Sequence, residues 1–428
     1  MVKPPRTALI VGATGLVGSN LLQQLAADPS YQVIILTRRK TDLQYNGVVE
    51  YLIDFDQPLT WPAISVDEFY CCLGTTKAVA GRTGLRQVDV DYVVSTAAYA
   101  HRQGARTAVI ISAFGAAIPI DTPGVAAPGV AAPGVAAPGV AAPGVAASGK
   151  KGSPWFYFQM KTQMQQAVSH IGFKQLVFMQ PGLIKGRPPS RWLEGLAIAL
   201  LETVTRFAFK RHRPISADTL AKAMRSASLV AQQPVHYYVL DELFDLSDVI
   251  DTIDTAVNQI RAGKTIVYPT EAVYGLGCDP DNEQAVRQLL KLKQRSWKKG
   301  LILIGADVAQ FAPWVNLEQL AQPYIEASWP GANTWIVSCR AEVPDWLRGE
   351  HDSLAVRVTD HPVCRALCQR LGSALISTSA NPAGQNPAIT PEQAQRYFPD
   401  LLVVEGPLGQ ATQPSTIRDA LTQAVYRA

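Results

Sequence analysis

No run of eighteen or more apolar residues interrupts the chain, so the sequence offers no membrane-spanning helix and no membrane partner. Cysteine is sparse. Cys71, Cys72, Cys278, Cys339, Cys364 and Cys368 make no paired CxxC spacing and stand beside no histidine set, which argues against a bound metal. Cys364 and Cys368 fall at helical spacing and read as plain thiols. With no disulfide framework, the reducing cytoplasm is the expected setting. Charge is also low: 17% charged residues and a net +4, a balance that permits RNA contact without arguing for it. The short apolar run at residues 8–12 reads as core and not as an export signal. What is plentiful is apolar residue, 47% of 428, which predicts two or three folded domains.

In the first half, the strand-like run Thr7–Val11 enters Gly12-Ala-Thr14-Gly15-Leu-Val-Gly18 and then a helix-like stretch, Ser19–Ala27. A strand, a glycine turn and a helix form the context in which Gly12, Thr14, Gly15 and Gly18 can cradle a pyrophosphate at a helix N-terminus. A second strand, Gln32–Leu36, ends in Thr37-Arg38-Arg39-Lys40. Arg38 and Arg39 stand where an acidic residue would favour NAD, and they suit a 2′-phosphate, so NADP is the expected cofactor. Further apolar strands, at Glu68–Leu73, Ala108–Ser112 and Leu176–Gln180, alternate with helical segments. That alternation predicts a doubly wound, Rossmann-type parallel sheet.

Tyr157 and Lys161 lie four apart and share a helical face, so a lysine beside a tyrosine favours the phenolate for proton relay. The same spacing is also common in plain surface pairs. With the glycine turn, this arrangement resembles the atypical short-chain dehydrogenase/reductase family over residues 5–240. The family's serine pair is here Ser112-Ala113, which puts reductase activity in question but not cofactor binding. Residues 123–147 are five copies of Pro-Gly-Val-Ala-Ala, too short a period for a solenoid and too small-sided for a core, and are expected to be a flexible loop inside this domain. The basic cluster Arg206–Arg213 reads as a solvated face.

The domain boundary is expected between residues 245 and 246, where Asp-Glu-Leu-Phe-Asp-Leu-Ser-Asp breaks the pattern, with a helix over about Asp251–Ala262. Three phrases follow: Ile-Val-Tyr-Pro-Thr270-Glu-Ala-Val-Tyr-Gly-Leu-Gly at 266–277, Leu-Lys293-Gln-Arg295 at 292–295, and Ser377-Thr-Ser379-Ala-Asn381. Five cations between Lys291 and Lys299 have no acid among them, a density that repels itself unless an anion sits there. Arg357 stands in an apolar strand and needs an anionic partner. Ser377, Ser379 and Asn381 follow an apolar strand, at the carboxyl end where open α/β sheets place ligands. Taken alone, Pro-Thr-Glu also suits a helix N-cap.

Read together, these phrases resemble the YrdC-like, TsaC-type threonylcarbamoyl-AMP synthases over residues 246–428, a twisted α/β domain. The resemblance implies that L-threonine, bicarbonate and ATP, with Mg2+, give threonylcarbamoyl-AMP and pyrophosphate. The product would serve partner proteins that make threonylcarbamoyladenosine in tRNA, with tRNA itself a candidate partner. It implies Thr270 and Arg357 for threonine, Lys293 and Arg295 for the triphosphate, and Lys299 for substrate or ATP. It also implies Ser353, Ser377, Ser379, Asn381, Ser415 and Arg427 as further ligand contacts. Lys293, Arg295, Tyr157 and Lys161 are the residues expected to carry chemistry. The rival reading is an NADP-dependent reductase with a C-terminal double-stranded-RNA-binding module.

Overall fold

The computed structural model describes residues 5–43, 45–75, 77–117, 155–185, 213–231, 234–411 and 413–427. The Pro-Gly-Val-Ala-Ala repeats and residues 206–212 of the basic cluster lie outside them. The chain forms two compact units, divided between Val249 and Ile250.

The first unit is built on seven strands: β1 (Arg6–Val11), β2 (Tyr31–Thr37), β3 (Val48–Leu52), β4 (Glu68–Cys71), β5 (Thr107–Ile111), β6 (Gln175–Gln180) and β9 (Val235–Val239). Their order is β3-β2-β1-β4-β5-β6-β9, and every neighbouring pair is parallel. A small two-stranded sheet, β7 (Ile184–Lys185) with β8 (Ile215–Ser216), sits beside it in sequence. The apolar runs are near-continuous because both sheet faces are covered. One face holds Leu9, Phe69, Ile110 and Phe178; the other holds Ile10, Tyr70, Val109 and Val177. The expected doubly wound sheet is present. The order turns at β1 and β4, which puts a crevice above the carboxyl end of β1, where α1 (Leu16–Ala26) begins.

Helix α2 (Lys77–Arg86) leads through a π-turn, Gln87–Asp91, into α3 (Tyr92–Arg102). Helices α4 (Trp155–Ser169) and α5 (Ala217–Val230) follow. Next, α6 runs unbroken from Glu242 to Arg261, so the expected break at 240–249 is corrected. Leu243, Leu246, Ile250 and Ile253 recur at helical spacing and are all buried. Glu242 and Asp245 are first-turn residues, favoured at a helix N-terminus, and Glu242 accepts the Val239 N–H at 2.7 Å.

The second unit is a nine-stranded mixed sheet. Its strands are β10 (Ile266–Pro269), β11 (Tyr274–Gly277), β12 (Ile302–Gly305), β13 (Asn333–Ser338), β14 (Ser353–Val358), β15 (Leu375–Ser379), β16 (Leu402–Val403), β17 (Thr416–Asp419) and β18 (Val425–Arg427). They run in the order β16-β10-β11-β15-β12-β14-β13-β17-β18. Helix α7 (Glu283–Lys293) packs Val286 and Leu289 into the core. Among the described residues, no helix is long and apolar enough to cross a membrane.

Candidate functional site

A cavity of about 680 Å³ opens on the second unit. Strand ends and turns bring residues far apart in sequence to its wall. Thr270 follows β10, and its Oγ1 donates to the Val273 carbonyl at 2.6 Å, leaving its lone pairs as acceptors. Ser353 opens β14 and Arg357 lies within it, while Ser377 and Ser379 come from β15. Lys299, Ser415 and Arg427 complete the set that the sequence singled out on this wall. Lys293 and Asn381 do not line it.

The chain's local geometry separates Lys293 from Arg295. Helix α7 ends at Lys293, and Gln294 takes a left-handed conformation with φ of 50°. The turn sends Lys293 inward, where it is 6% exposed, and Arg295 to the cavity. Arg295 uses one terminal nitrogen on the Gly300 carbonyl at 3.1 Å, and its Nε is buried without a partner. Burial, with Arg295 next in effect, pushes the Lys293 ammonium down to about 8. The run of cations is partly neutralised after all, since Lys298 pairs with Glu350 at 2.6 Å.

Arg357 finds its anionic partner within the chain. Its guanidinium lies 3.1 Å from Glu271, whose other oxygen accepts from Thr359 Oγ1 at 2.5 Å. Both ionic side chains are buried, at 8% and 6% exposure, and Arg357 Nε is left without a partner. Glu271 also lines the cavity. Sequence reasoning passed over it, although an acid directly after Thr270 in an otherwise apolar stretch was a usable signal. At the far wall Arg427 donates twice to the Ser415 carbonyl, at 3.0 and 2.7 Å, and once to Ser415 Oγ at 3.1 Å.

In the first unit, the glycine turn has the shape of a phosphate cradle. Gly12 sits at φ +84°, and a Cβ there would fall 2.7 Å from the Cys72 backbone. A Cβ on Gly18 would fall 2.1 Å from the Gly12 carbonyl oxygen, so this turn closes against α1 only without side chains. Gly15 is the N-cap of α1, and Thr14 and Gly15 are exposed. Arg38 and Arg39 are exposed directly after β2. These residues fit a dinucleotide.

Lys161 is committed elsewhere. Its Nζ lies 2.7 Å from Asp89 Oδ1, with both side chains almost wholly buried, and 5.9 Å from the centroid of the Tyr157 ring. Asp89 sits on the π-turn, and its second oxygen accepts the Thr75 N–H at 3.0 Å. The charge expected to act on Tyr157 is therefore compensated by a carboxylate that sequence reasoning did not single out. Ser112 is buried with its Oγ unpartnered, beside Ala113.

Comparison with known proteins follows the same division. Residues 258–428 match the family model of Sua5, YciO and YrdC proteins, described as telomere recombination. Residues 8–108 match the NAD dependent epimerase/dehydratase family. Over 170 residues the chain is 53% identical to the threonylcarbamoyl-AMP synthase of Methylococcus capsulatus, covering 39% of this chain and 91% of that protein. It is 49% identical over 175 residues to the threonylcarbamoyl-AMP synthase of Yersinia pestis, covering 40% and 92% respectively. A crystal structure of P. abyssi Sua5 complexed with L-threonine is 27% identical, covers 39% of this chain and 50% of that one, and has a TM-score of 0.36.

Proposed function

The chain belongs to the threonylcarbamoyl-AMP synthase family through residues 258–428, and from that premise we propose that it converts L-threonine, bicarbonate and ATP into threonylcarbamoyl-AMP and pyrophosphate. One observation carries the reading: a stretch 53% identical to nearly the whole of such a synthase folds around a cavity walled by Thr270, Arg295, Lys299, Arg357 and Ser379.

The chemistry asks for positioning and charge neutralisation more than for proton transfer. The threonine nitrogen bonds to the carbon of CO2, which bicarbonate supplies with loss of water. A carbamate oxygen then attacks the α-phosphorus, and the bond to pyrophosphate breaks. Arg295 offers donors in a fork suited to two phosphate oxygens, and Lys299 adds a second cation on the same wall. Arg357, oriented by Glu271, keeps its Nε for the amino-acid carboxylate, and Thr270 accepts from the substrate's polar hydrogens. Holding the reactants in line and balancing the developing charge supply most of the rate. Among the described residues no three His, Cys, Asp or Glu gather to hold a metal. Mg2+ bound with the phosphates would supply charge neutralisation. The product would pass, in the cytoplasm, to the proteins that modify adenosine in tRNA.

The test is pyrophosphate release by the purified chain with ATP and bicarbonate, with and without L-threonine. Threonine-dependent release is the expected result. Its absence from folded protein defeats the reading and moves attention to the rival, a reductase with an RNA-binding second unit.

For the first unit we propose NADP(H) as the dinucleotide, a cofactor whose chemistry when bound is hydride transfer. Gly12, Gly15 and Gly18 would take the pyrophosphate, and Arg38 and Arg39 the 2′-phosphate. Replacing both arginines by aspartate is expected to weaken NADPH binding by about tenfold or more relative to NADH, since two charge-assisted contacts become repulsive. Fluorescence titration with each dinucleotide measures this. An unchanged NADPH-to-NADH ratio would remove both arginines from the site.

A further inference from the structure

Thr359 lies two residues past Arg357, just beyond the end of β14, and is wholly buried. Its N–H donates to the Gly305 carbonyl at 3.0 Å, which fixes its backbone. Its Oγ1 accepts the His361 N–H at 3.2 Å. With that lone pair taken, the hydroxyl proton is directed at Glu271, and Oγ1 lies 2.5 Å from Glu271 Oε1. That length is typical of a hydroxyl on an ionised carboxylate.

The Glu271 carboxylate is thereby held between two groups. Thr359 takes Oε1, while Oε2 lies 3.1 Å from a terminal nitrogen of Arg357 and has no hydrogen bond among the described residues. The backbone of Glu271 has little freedom of its own. The Thr270 and Glu271 carbonyls accept the Gly409 and Ala411 N–H groups at 3.0 and 3.1 Å, and a Cβ on Gly409 would fall 2.8 Å from Glu271 Cα. His361 ties down the same loop, its Nε2 donating to the Pro407 carbonyl at 3.0 Å. Only the Glu271 side chain could still turn, and Thr359 restrains it.

The restraint matters for Arg357. A guanidinium and a carboxylate left to themselves pair through two parallel N–H···O bonds. Here Arg357 Nε stays buried and unpartnered among the described residues, so the pair is not closed. We propose that Thr359 is a positioning residue for amino-acid recognition: its hydroxyl keeps the Glu271 carboxylate from closing a two-bond pair with Arg357, and so reserves the Arg357 Nε for the carboxylate of the substrate. The inference deepens the synthase reading and rests on Arg357 being the group that meets L-threonine. Its consequence is selective. Without the hydroxyl, Glu271 Oε1 is a buried acceptor with no partner, and the adjacent Arg357 Nε is an unpartnered donor. The guanidinium then serves its own chain's carboxylate in place of the substrate's. Arg295 and Lys299, on the nucleotide side of the wall, are untouched.

The experiment is calorimetric titration of the full chain with L-threonine and, separately, with ATP. Thr359→Val is expected to weaken L-threonine by about tenfold while ATP stays within about twofold. Thr359→Ser keeps the hydroxyl, and its affinity for L-threonine should stay within about threefold of the unsubstituted chain's. In a Glu271→Gln background the competing charge is gone, so adding Thr359→Val should cost less than about threefold. Parallel losses of L-threonine and ATP, failure of serine to rescue, or an undiminished loss in the Glu271→Gln background would each overturn the proposal. Thr359→Ala carries the same comparison where Thr359→Val does not fold. Threonine-dependent pyrophosphate release by the unsubstituted chain is followed in parallel. If it is absent while L-threonine binds, the synthase reading fails and the Thr359 comparison still stands. If L-threonine does not bind, both fall.

Discussion

Arg295→Ala is expected to lower threonine-dependent pyrophosphate release by about a hundredfold or more, the usual effect of deleting a donor aimed at developing charge. The argument is geometric. Arg295 spends one nitrogen on the Gly300 carbonyl and holds the rest of its fork at the cavity, with Nε buried and unpartnered. An unpaired guanidinium edge in a partly dry wall is poised for an anion, and burial already lowers its proton affinity. Because one backbone bond is the only hydrogen bond it makes within the described residues, its loss should leave thermal stability nearly unchanged. Arg295→Lys keeps the charge but not the paired donors, and should recover only part of the rate. Steady-state assays of pyrophosphate release at varied ATP settle this. A decrease smaller than about threefold would take Arg295 out of the chemistry.

The second large effect lies in the first unit. Lys161→Met is expected to destabilise that unit by about 3–5 kcal/mol, because it strands the Asp89 carboxylate where almost no water reaches. Asp89→Leu introduced on top of it should restore most of the loss, since replacing both ions by apolar groups removes the orphaned charge. Hydrogen exchange in the full chain, read on the β4 and β5 amides that flank the pair, provides the measurement. Equal protection in Lys161→Met and the unsubstituted chain would mean that the pair carries no net stability.

Much of the architecture was legible because one signal dominated. Apolar runs flanked by glycine turns gave β1, β2, β5 and β6 to within a residue or two, and their alternation with helices gave the parallel sheet. The misreading at 240–249 shows the converse. Its acids looked like a break, while the spacing of Leu243, Leu246, Ile250 and Ile253 already described a helix. The cavity wall holds Thr270, Arg295, Lys299, Arg357 and Ser379 but neither Lys293 nor Asn381, and which side each residue faces was not legible. Lys293 and Arg295 diverge because Gln294 is left-handed, a conformation the sequence does not announce outside glycine or asparagine. Asp89 and Glu271 were missed for a shared reason. Each pairs with a cation far away in sequence, Lys161 or Arg357, and spacing alone does not say which cation an acid will meet, even where the acid stands out in an apolar stretch as Glu271 does.

The parallel pairing of β5 with β6 has a consequence for how this chain can vary between generations. Parallel neighbours are joined by a crossover, so the register of Thr107↔Gln175 through Ile111↔Met179 does not depend on the number of residues between them. The tandem Pro-Gly-Val-Ala-Ala copies at 123–147 fall in that crossover. Closing a connection of twice the length costs only about 0.6 kcal/mol more. Slippage during replication, adding or deleting whole copies, can therefore drift almost unopposed by folding, whereas the same change inside a tight hairpin would shift every side chain of the following strand to the wrong face.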